Sequence, residues 1–152
     1  MSAEPRLFFE DFHAGMTVER DLPVLSEQEI IEFATKYDPQ SFHIDPERAA
    51  GSIYGGLIAS GWHTVSLMMR AICEGYLLEA ASLGSPGVDN VRWLKPVRAG
   101  DRLHMRMTVE SARPSRSRPD RGSVVHRWQL LNDRDELVLD MTGIGMFRCR
   151  PR

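Results

Sequence analysis

The stretch from Ala49 to Met69 contains no Asp, Glu, Lys or Arg, and it limits what this chain can fold into more than any other feature. A run of this length raises the question of a membrane span. Glycines and serines interrupt it, however, and glycine is a poor interior residue for one continuous helix. The stretch therefore predicts a loop followed by a helix, both buried in protein, and no membrane association.

The buried helix is expected to begin near Gly61 or Trp62 and to run to about Ala81. Apolar side chains cover most of its circumference, which predicts a helix enclosed by other elements. Upstream, Ser26 and Glu29 form a capping-box pattern that opens a helix ending at Asp38. Asp45 followed by Pro46 predicts a second helix start, with a short turn through Ala50.

Downstream, the hydrophobic period changes from about 3.6 to 2, which is typical of half-buried strands. Five strands are predicted: Met16–Leu25, Val88–Val97, Leu103–Val109, Val124–Leu131 and Leu137–Phe147. The Arg113–Arg121 segment between two of them is predicted to be a solvated hairpin loop. The order of elements predicts an α+β fold, in which an antiparallel sheet curls around one long helix.

Composition narrows the class of protein further. The chain has 152 residues and a formal charge of -2, so one domain spanning residues 1–152 is expected, and a nucleic-acid partner is not. Cys73 and Cys149 lack metal-ligand or paired spacing, the histidines show no ligand pattern, and the N-terminus lacks an export signal. These features predict a cytoplasmic protein without a metal site.

The residues that point to chemistry follow the first predicted helix. Asp38 and His43 lie in one loop, directly upstream of the uncharged stretch, so both are expected beside buried apolar surface. A helix beginning at Gly61 would present unpaired N–H groups that can stabilise an oxyanion. The spacing alone also fits a purely structural role, with Asp38 ending a helix, His43 in a loop and Asp45 as an N-cap.

Residues 38–45 resemble the hydratase motif of the MaoC-like family of (R)-specific enoyl-CoA hydratases and acyl dehydratases, D-x-N-P-x-H-x-D. Gln40 stands in place of the usual Asn, and Ser41 in place of Pro. Residues 54–61 are similar to the family's F-x-x-P-I-x-H-G segment, with Ser60 in place of His. Residues 92–101 resemble its F-x-x-P-V-x-x-G-D segment.

The resemblance implies a hotdog fold. It also implies an enzyme that adds water to an enoyl-CoA or removes water from a 3-hydroxyacyl-CoA. His43 would act as general base with Asp38 as its acid/base companion, while Gly61 and Ser60 would bind substrate and the Gly61 N–H would hold the thioester oxygen. Coenzyme A would be part of the substrate, with no other cofactor. The resemblance further implies a homodimer or a higher homo-oligomer.

Two other functions stay open: an acyl-CoA thioesterase of the same fold, and a noncatalytic acyl-CoA-binding protein. Met69 occupies the position where some family members have a serine that supports the aspartate, so Ser66 or a backbone donor is expected to orient Asp38. Asp45 is expected to be an N-cap. His63 and His126 are expected to be structural residues with satisfied hydrogen bonds.

Overall fold

The computed structural model describes residues 3–152. The helices are α1 Glu27–Tyr37, α2 Ser41–Ile44, α3 Pro46–Ala50 and α4 Gly61–Gly75. The strands are β1 Thr17–Asp21, β2 Ser82–Trp93, β3 Leu103–Pro114, β4 Arg121–Asn132 and β5 Leu137–Arg148. Two short 3-10 turns occupy Phe9–Asp11 and Leu77–Glu79.

The five strands form one antiparallel sheet in the order β1-β3-β4-β5-β2. Helix α4 packs against β1 and β3. Met68 and Ile72 of this helix share one hydrophobic core with Met105, Met107 and Leu130 of the sheet. The α+β class predicted from the sequence is confirmed. None of the helices in residues 3–152 combines the length and the apolar character that a bilayer crossing requires.

Local sequence signals position the elements that precede α4. The Ser26 hydroxyl accepts a hydrogen bond from the Glu29 N–H, and the Glu29 carboxylate accepts one from the Ser26 N–H. Asp45 Oδ1 accepts hydrogen bonds from the N–H groups of Glu47 and Arg48. Both predicted caps are therefore confirmed, and Asp45 fixes the start of α3 as an N-cap.

The predicted central helix is too long at its C-terminal end and too fully enclosed. It ends at Gly75, because Tyr76 leaves helical geometry and turns into the core, where its hydroxyl oxygen accepts a hydrogen bond from Trp128 Nε1 at 3.0 Å. One face of α4 is open, since the Trp62 side chain is 58% exposed and Met69 also reaches solvent. The sequence did not indicate this exposed face, because the first part of the helix, up to Met69, contains no charged residue.

The predicted strands are found, with shifted ends. Strand β1 covers only part of the predicted Met16–Leu25 range, and β2 begins earlier and ends at Trp93, before the irregular segment that leads to Val97. Strand β3 continues through Pro114 and β4 begins at Arg121, so the Arg-rich loop is limited to residues 115–120. Strand pairing thus extends into a segment whose polarity indicated a loop.

His63 and His126 are buried, and the predicted satisfaction of their hydrogen bonds is wrong. Within residues 3–152, neither ring nitrogen of His126 and not Nδ1 of His63 has a hydrogen-bond partner. The His126 ring is enclosed by aromatic rings and stacks on Trp128 at a centroid distance of 5.0 Å. Burial lowers the pKa of His126 to about 4, because the apolar surroundings disfavour the charged imidazolium.

Candidate active site

Asp38 and His43 are brought together by the end of α1 and the short helix α2. Asp38 is the C-cap of α1, and Pro39 directs the chain away from helical geometry. Helix α2 then returns the chain so that His43 Nε2 lies 3.3 Å from Asp38 Oδ2. The two side chains that the sequence analysis selected therefore converge.

A second contact of His43 fixes its tautomer. Nδ1 lies 2.7 Å from the carbonyl oxygen of Ile58, which can only accept a hydrogen bond. In the neutral ring Nδ1 therefore carries the hydrogen, and Nε2 presents its lone pair toward Asp38. This arrangement suits a general base, because the basic nitrogen faces a carboxylate and the neighbouring cavity.

Asp38 is held by two neutral donors. The Ser60 hydroxyl donates to Oδ2 at 2.7 Å, and the Gln40 side-chain amide donates to Oδ1 at 2.7 Å. Burial by itself would raise the pKa of Asp38, but these hydrogen bonds and the neighbouring His43 outweigh burial and lower the pKa below its ordinary value. The carboxylate therefore stays ionised at neutral pH.

Ser60 supports Asp38 directly. Its single hydroxyl hydrogen is used on Asp38, and the residue is fully buried, so the hydroxyl is not available to a substrate oxygen. The sequence-based suggestion of Ser66 is wrong, because the Ser66 hydroxyl donates to the Trp62 carbonyl oxygen along its own helix. Ser60 and Gln40 donate the hydrogen bonds to Asp38 that the side chain of Met69 cannot donate.

Gly61 is the first residue of α4, as predicted. Within the described residues, its N–H donates no hydrogen bond, so it remains one of the free donors at a helix N-terminus. Glycine is required here for packing: a Cβ atom at this position would lie 2.5 Å from Cε2 and Nε1 of Trp93. The Trp93 indole thus rests directly against the Gly61 Cα atom.

These groups line one cavity of about 540 Å³. Asp38, His43 and Gly61 belong to its polar part, together with Gln40, Tyr54, Thr64 and Lys95, and apolar side chains contribute the rest. The apolar lining includes Phe42, Ile58, Trp62, Trp93, Leu94 and Val138. A carboxylate, an imidazole, a free backbone donor and an apolar wall together can hold a water molecule against an apolar substrate that carries a carbonyl group.

The sequence analysis missed Gln40 as a partner of Asp38 and Trp93 as a wall of the cavity. Both residues lie in the segments that resemble family motifs, at positions 40 and 93. A donor side chain two residues after the candidate carboxylate was a usable signal for Gln40. No local pattern indicated Trp93, because its contact with Gly61 joins residues that are far apart in the chain.

The sequence of this chain matches a known protein family. The family model described as a MaoC like domain matches residues 11–126, which is most of the chain and includes both halves of the site. This chain belongs to the MaoC-like domain family. The family predicted from the motif segments is therefore confirmed.

Known structures and relatives extend the comparison. A MaoC-like dehydratase from Rhodospirillum rubrum is 38% identical, with a TM-score of 0.87 over 96% of this chain and 99% of that chain. An R-hydratase from Pseudomonas aeruginosa, at 21% identity, shares the fold, with a TM-score of 0.78 over 95% of this chain and 87% of that one. The predicted hotdog architecture is thus confirmed.

One relative by sequence has a named reaction. A 3-hydroxyacyl-thioester dehydratase from Mycobacterium tuberculosis is 34% identical over 85 residues, which make up 55% of this chain and 56% of that protein. The chain therefore aligns with only about half of that dehydratase.

Proposed function

We propose that this MaoC-like domain, acting as one unit over residues 1–152, is a hydratase or dehydratase of an enoyl-CoA or 3-hydroxyacyl-CoA thioester. The observation that carries the proposal is the convergence of His43 Nε2, the ionised Asp38 and the free Gly61 N–H on one cavity. The dehydratase relative and the dehydratase structure agree with this reaction class.

When the His43 ring is neutral, the facing atoms of the dyad need a shared proton donor. Nε2 and the ionised Asp38 Oδ2 are then both acceptors 3.3 Å apart, so neither can donate to the other. A water molecule that donates one hydrogen to each atom satisfies both acceptors and orients its oxygen into the cavity. The dyad thereby selects and activates the nucleophile of a hydration.

The reaction then follows from the positions of the donors and acceptors. The water oxygen adds to C3 of the enoyl thioester as His43 Nε2 takes one proton. Negative charge moves to the thioester oxygen, where the Gly61 N–H and the N-terminal dipole of α4 stabilise it. Protonation of C2 by the dyad completes hydration and restores the starting state, and dehydration is the reverse sequence.

The test is incubation of the protein with crotonyl-CoA, with the enoyl absorbance, free thiol and product mass measured together. The expected result is loss of enoyl absorbance, a mass gain of one water and no thiol release. Thiol release with the double bond intact would identify a thioesterase instead. Binding without turnover across a panel of enoyl-CoA chain lengths would identify a binding protein.

Ser60 should set the acid limb of this activity. Ser60→Ala removes one of the two hydrogen bonds that stabilise the Asp38 carboxylate, so the pKa of Asp38 should rise. As the pH is lowered, the variant should therefore begin to lose activity at a higher pH than wild type does. We expect the ratio of the variant's kcat to the wild-type kcat to fall as the pH is lowered from 7 to 5. Ser66→Ala is the matched control, because that hydroxyl contacts only the α4 backbone, and an identical shift in both variants would contradict the assignment.

The partner expected for this domain is a second copy of the chain. Strand β2 lies at the edge of the sheet, and it exposes apolar side chains at Leu83 and Val88. Such an edge is suited to pairing with another strand. A homodimer joined at β2 would cover this edge and the adjacent open face of α4.

Light scattering at micromolar concentration should return twice the 17.2 kDa chain mass. Val88→Lys places a charge on the β2 edge and should shift the protein to monomers. Val24→Lys is the control, because Val24 is similarly exposed but lies outside β2. A monomeric wild type, or equal dissociation of both variants, would refute pairing through β2.

A further inference from the structure

Trp93 occupies an unusual position for a large exposed side chain. It ends β2 opposite Leu139, and its indole lines the cavity that contains Asp38, His43 and Gly61. The face of the five-membered ring covers Gly61 near its nitrogen, because a Cβ atom on Gly61 would lie 2.5 Å from both Nε1 and Cε2 and 2.9 Å from Cδ1. The ring's only polar atom therefore lies beside the backbone donor of the site.

The spacing of the two nitrogens fits a shared acceptor. A Cβ position at Gly61 lies 2.5 Å from Trp93 Nε1. Because a Cβ atom and the amide nitrogen of one residue are about 2.5 Å apart, the Gly61 nitrogen lies within about 5 Å of Nε1. Two N–H donors that each lie about 2.9 Å from one oxygen can be up to about 5.8 Å apart. One carbonyl oxygen can thus reach both.

The indole N–H of Trp93 is free to bind a ligand, as far as the structure describes the chain. Within residues 3–152, Trp93 Nε1 donates no hydrogen bond, whereas the buried Trp128 Nε1 donates to Tyr76 Oη at 3.0 Å. The Trp93 side chain is 44% exposed, so water can solvate its N–H before a ligand binds. A substrate that fills the cavity would displace that water and would need to supply an acceptor.

We propose that Trp93 Nε1–H is a second hydrogen-bond donor to the substrate carbonyl oxygen, alongside the Gly61 N–H. The inference rests on the proposed function, since it assigns the carbonyl to a conjugated thioester. A donor aimed at this oxygen stabilises the charge that develops there when water adds to C3. Trp93 is then a catalytic residue as well as part of the apolar wall.

The direct test is Trp93→Phe, which removes the N–H group and keeps an aromatic ring against Gly61. We expect kcat for enoyl thioester hydration to fall about 10- to 100-fold, with KM changed by less than about threefold, because the donor matters most in the transition state. An unchanged kcat would overturn the proposal.

A spectroscopic readout separates hydrogen bonding from packing. Two donors on the carbonyl of a bound enoyl thioester polarise its conjugated system and shift its ultraviolet absorbance to longer wavelength. The shift should be measured with crotonyl-CoA in the slow Asp38→Asn background, in which the bound thioester persists. Addition of Trp93→Phe should reduce it, and an undiminished shift would refute the donor role even if kcat fell.

Trp128→Phe is the matched control, because it removes an indole N–H that bonds to Tyr76 away from the cavity. We expect a lower Tm but unchanged kcat and absorbance shift for this variant. Equal losses of kcat in both tryptophan variants, with no change in the shift, would assign a structural role to Trp93. An inactive wild type would refute the proposed hydration, while the absorbance shift would still test the donor.

Discussion

Asp38→Asn and His43→Ala should each lower kcat for enoyl thioester hydration by about 1,000-fold. Asn in place of Asp38 removes the negative charge that orients the attacking water, and Ala in place of His43 removes its proton acceptor. The double variant should be scarcely slower than either single variant, because two groups that act on one water do not contribute additively. Steady-state rates measured at the enoyl absorbance, with circular dichroism to verify folding, test this expectation.

The sequence supplies a matched control for the carboxylate. Asp45→Asn makes the same chemical change within the same motif, but Asp45 caps α3 through the N–H groups of Glu47 and Arg48. Asn is also a favourable N-cap residue, so stability and turnover should both change little. Full activity in Asp38→Asn, or an equal loss in Asp45→Asn, would refute the assignment of the dyad.

His126 should make the folded protein sensitive to acid. Its pKa is about 4 in the folded protein and about 6.5 in the unfolded chain, so the unfolded chain binds more protons between these values. Above about pH 7, His126 therefore does not lower the free energy of unfolding. The free energy of unfolding falls as the pH drops below 6.5. Between pH 7.5 and pH 5 the loss from this group is about 2 kcal/mol.

His126→Phe should remove that part of the pH dependence. Urea unfolding at pH 7.5 and pH 5.0 should show that the variant loses about 2 kcal/mol less than wild type over this interval. His126→Leu repeats the test with a smaller ring-free side chain, since a Cβ atom at Gly145 would already lie 3.0 Å from the His126 ring. His13→Gln removes an exposed imidazole and should follow wild type; equal slopes in all four proteins would contradict the effect.

The expected acid effect arises from a contact set that the sequence did not reveal. His126 shares the inward face of β4 with Val124, Trp128 and Leu130. The surrounding rings of Phe12, Tyr76 and Phe147 come from separate parts of the chain and leave both ring nitrogens without partners. Burial could be predicted from the period of the strand, but the absence of a hydrogen-bond partner could not.

In the candidate site, too, local features could be predicted from the sequence and contacts between distant residues could not. Asp38, His43 and Gly61 could be selected from the sequence because a proline, a helix start and a recognisable motif fix their local context. The hydrogen bond from Ser60 to Asp38 spans 22 residues and depends on how the tertiary structure brings the start of α4 to the end of α1. The resemblance, which places a histidine at position 60 and a supporting serine at position 69, gave no reason to expect that bond.

The amino-acid sequence by itself determined the caps at Ser26 and Asp45, the alternation of β3 and the α+β class, because these depend on interactions between near neighbours and on hydrophobic period. The family followed from the resemblance of three motif segments. Only the tertiary structure decided that α4 ends where Tyr76 enters the core, that Ser60 bonds to Asp38, and that Trp93 lies against Gly61. Those contacts join residues distant in the chain, and their geometry is set by the packing of the whole core.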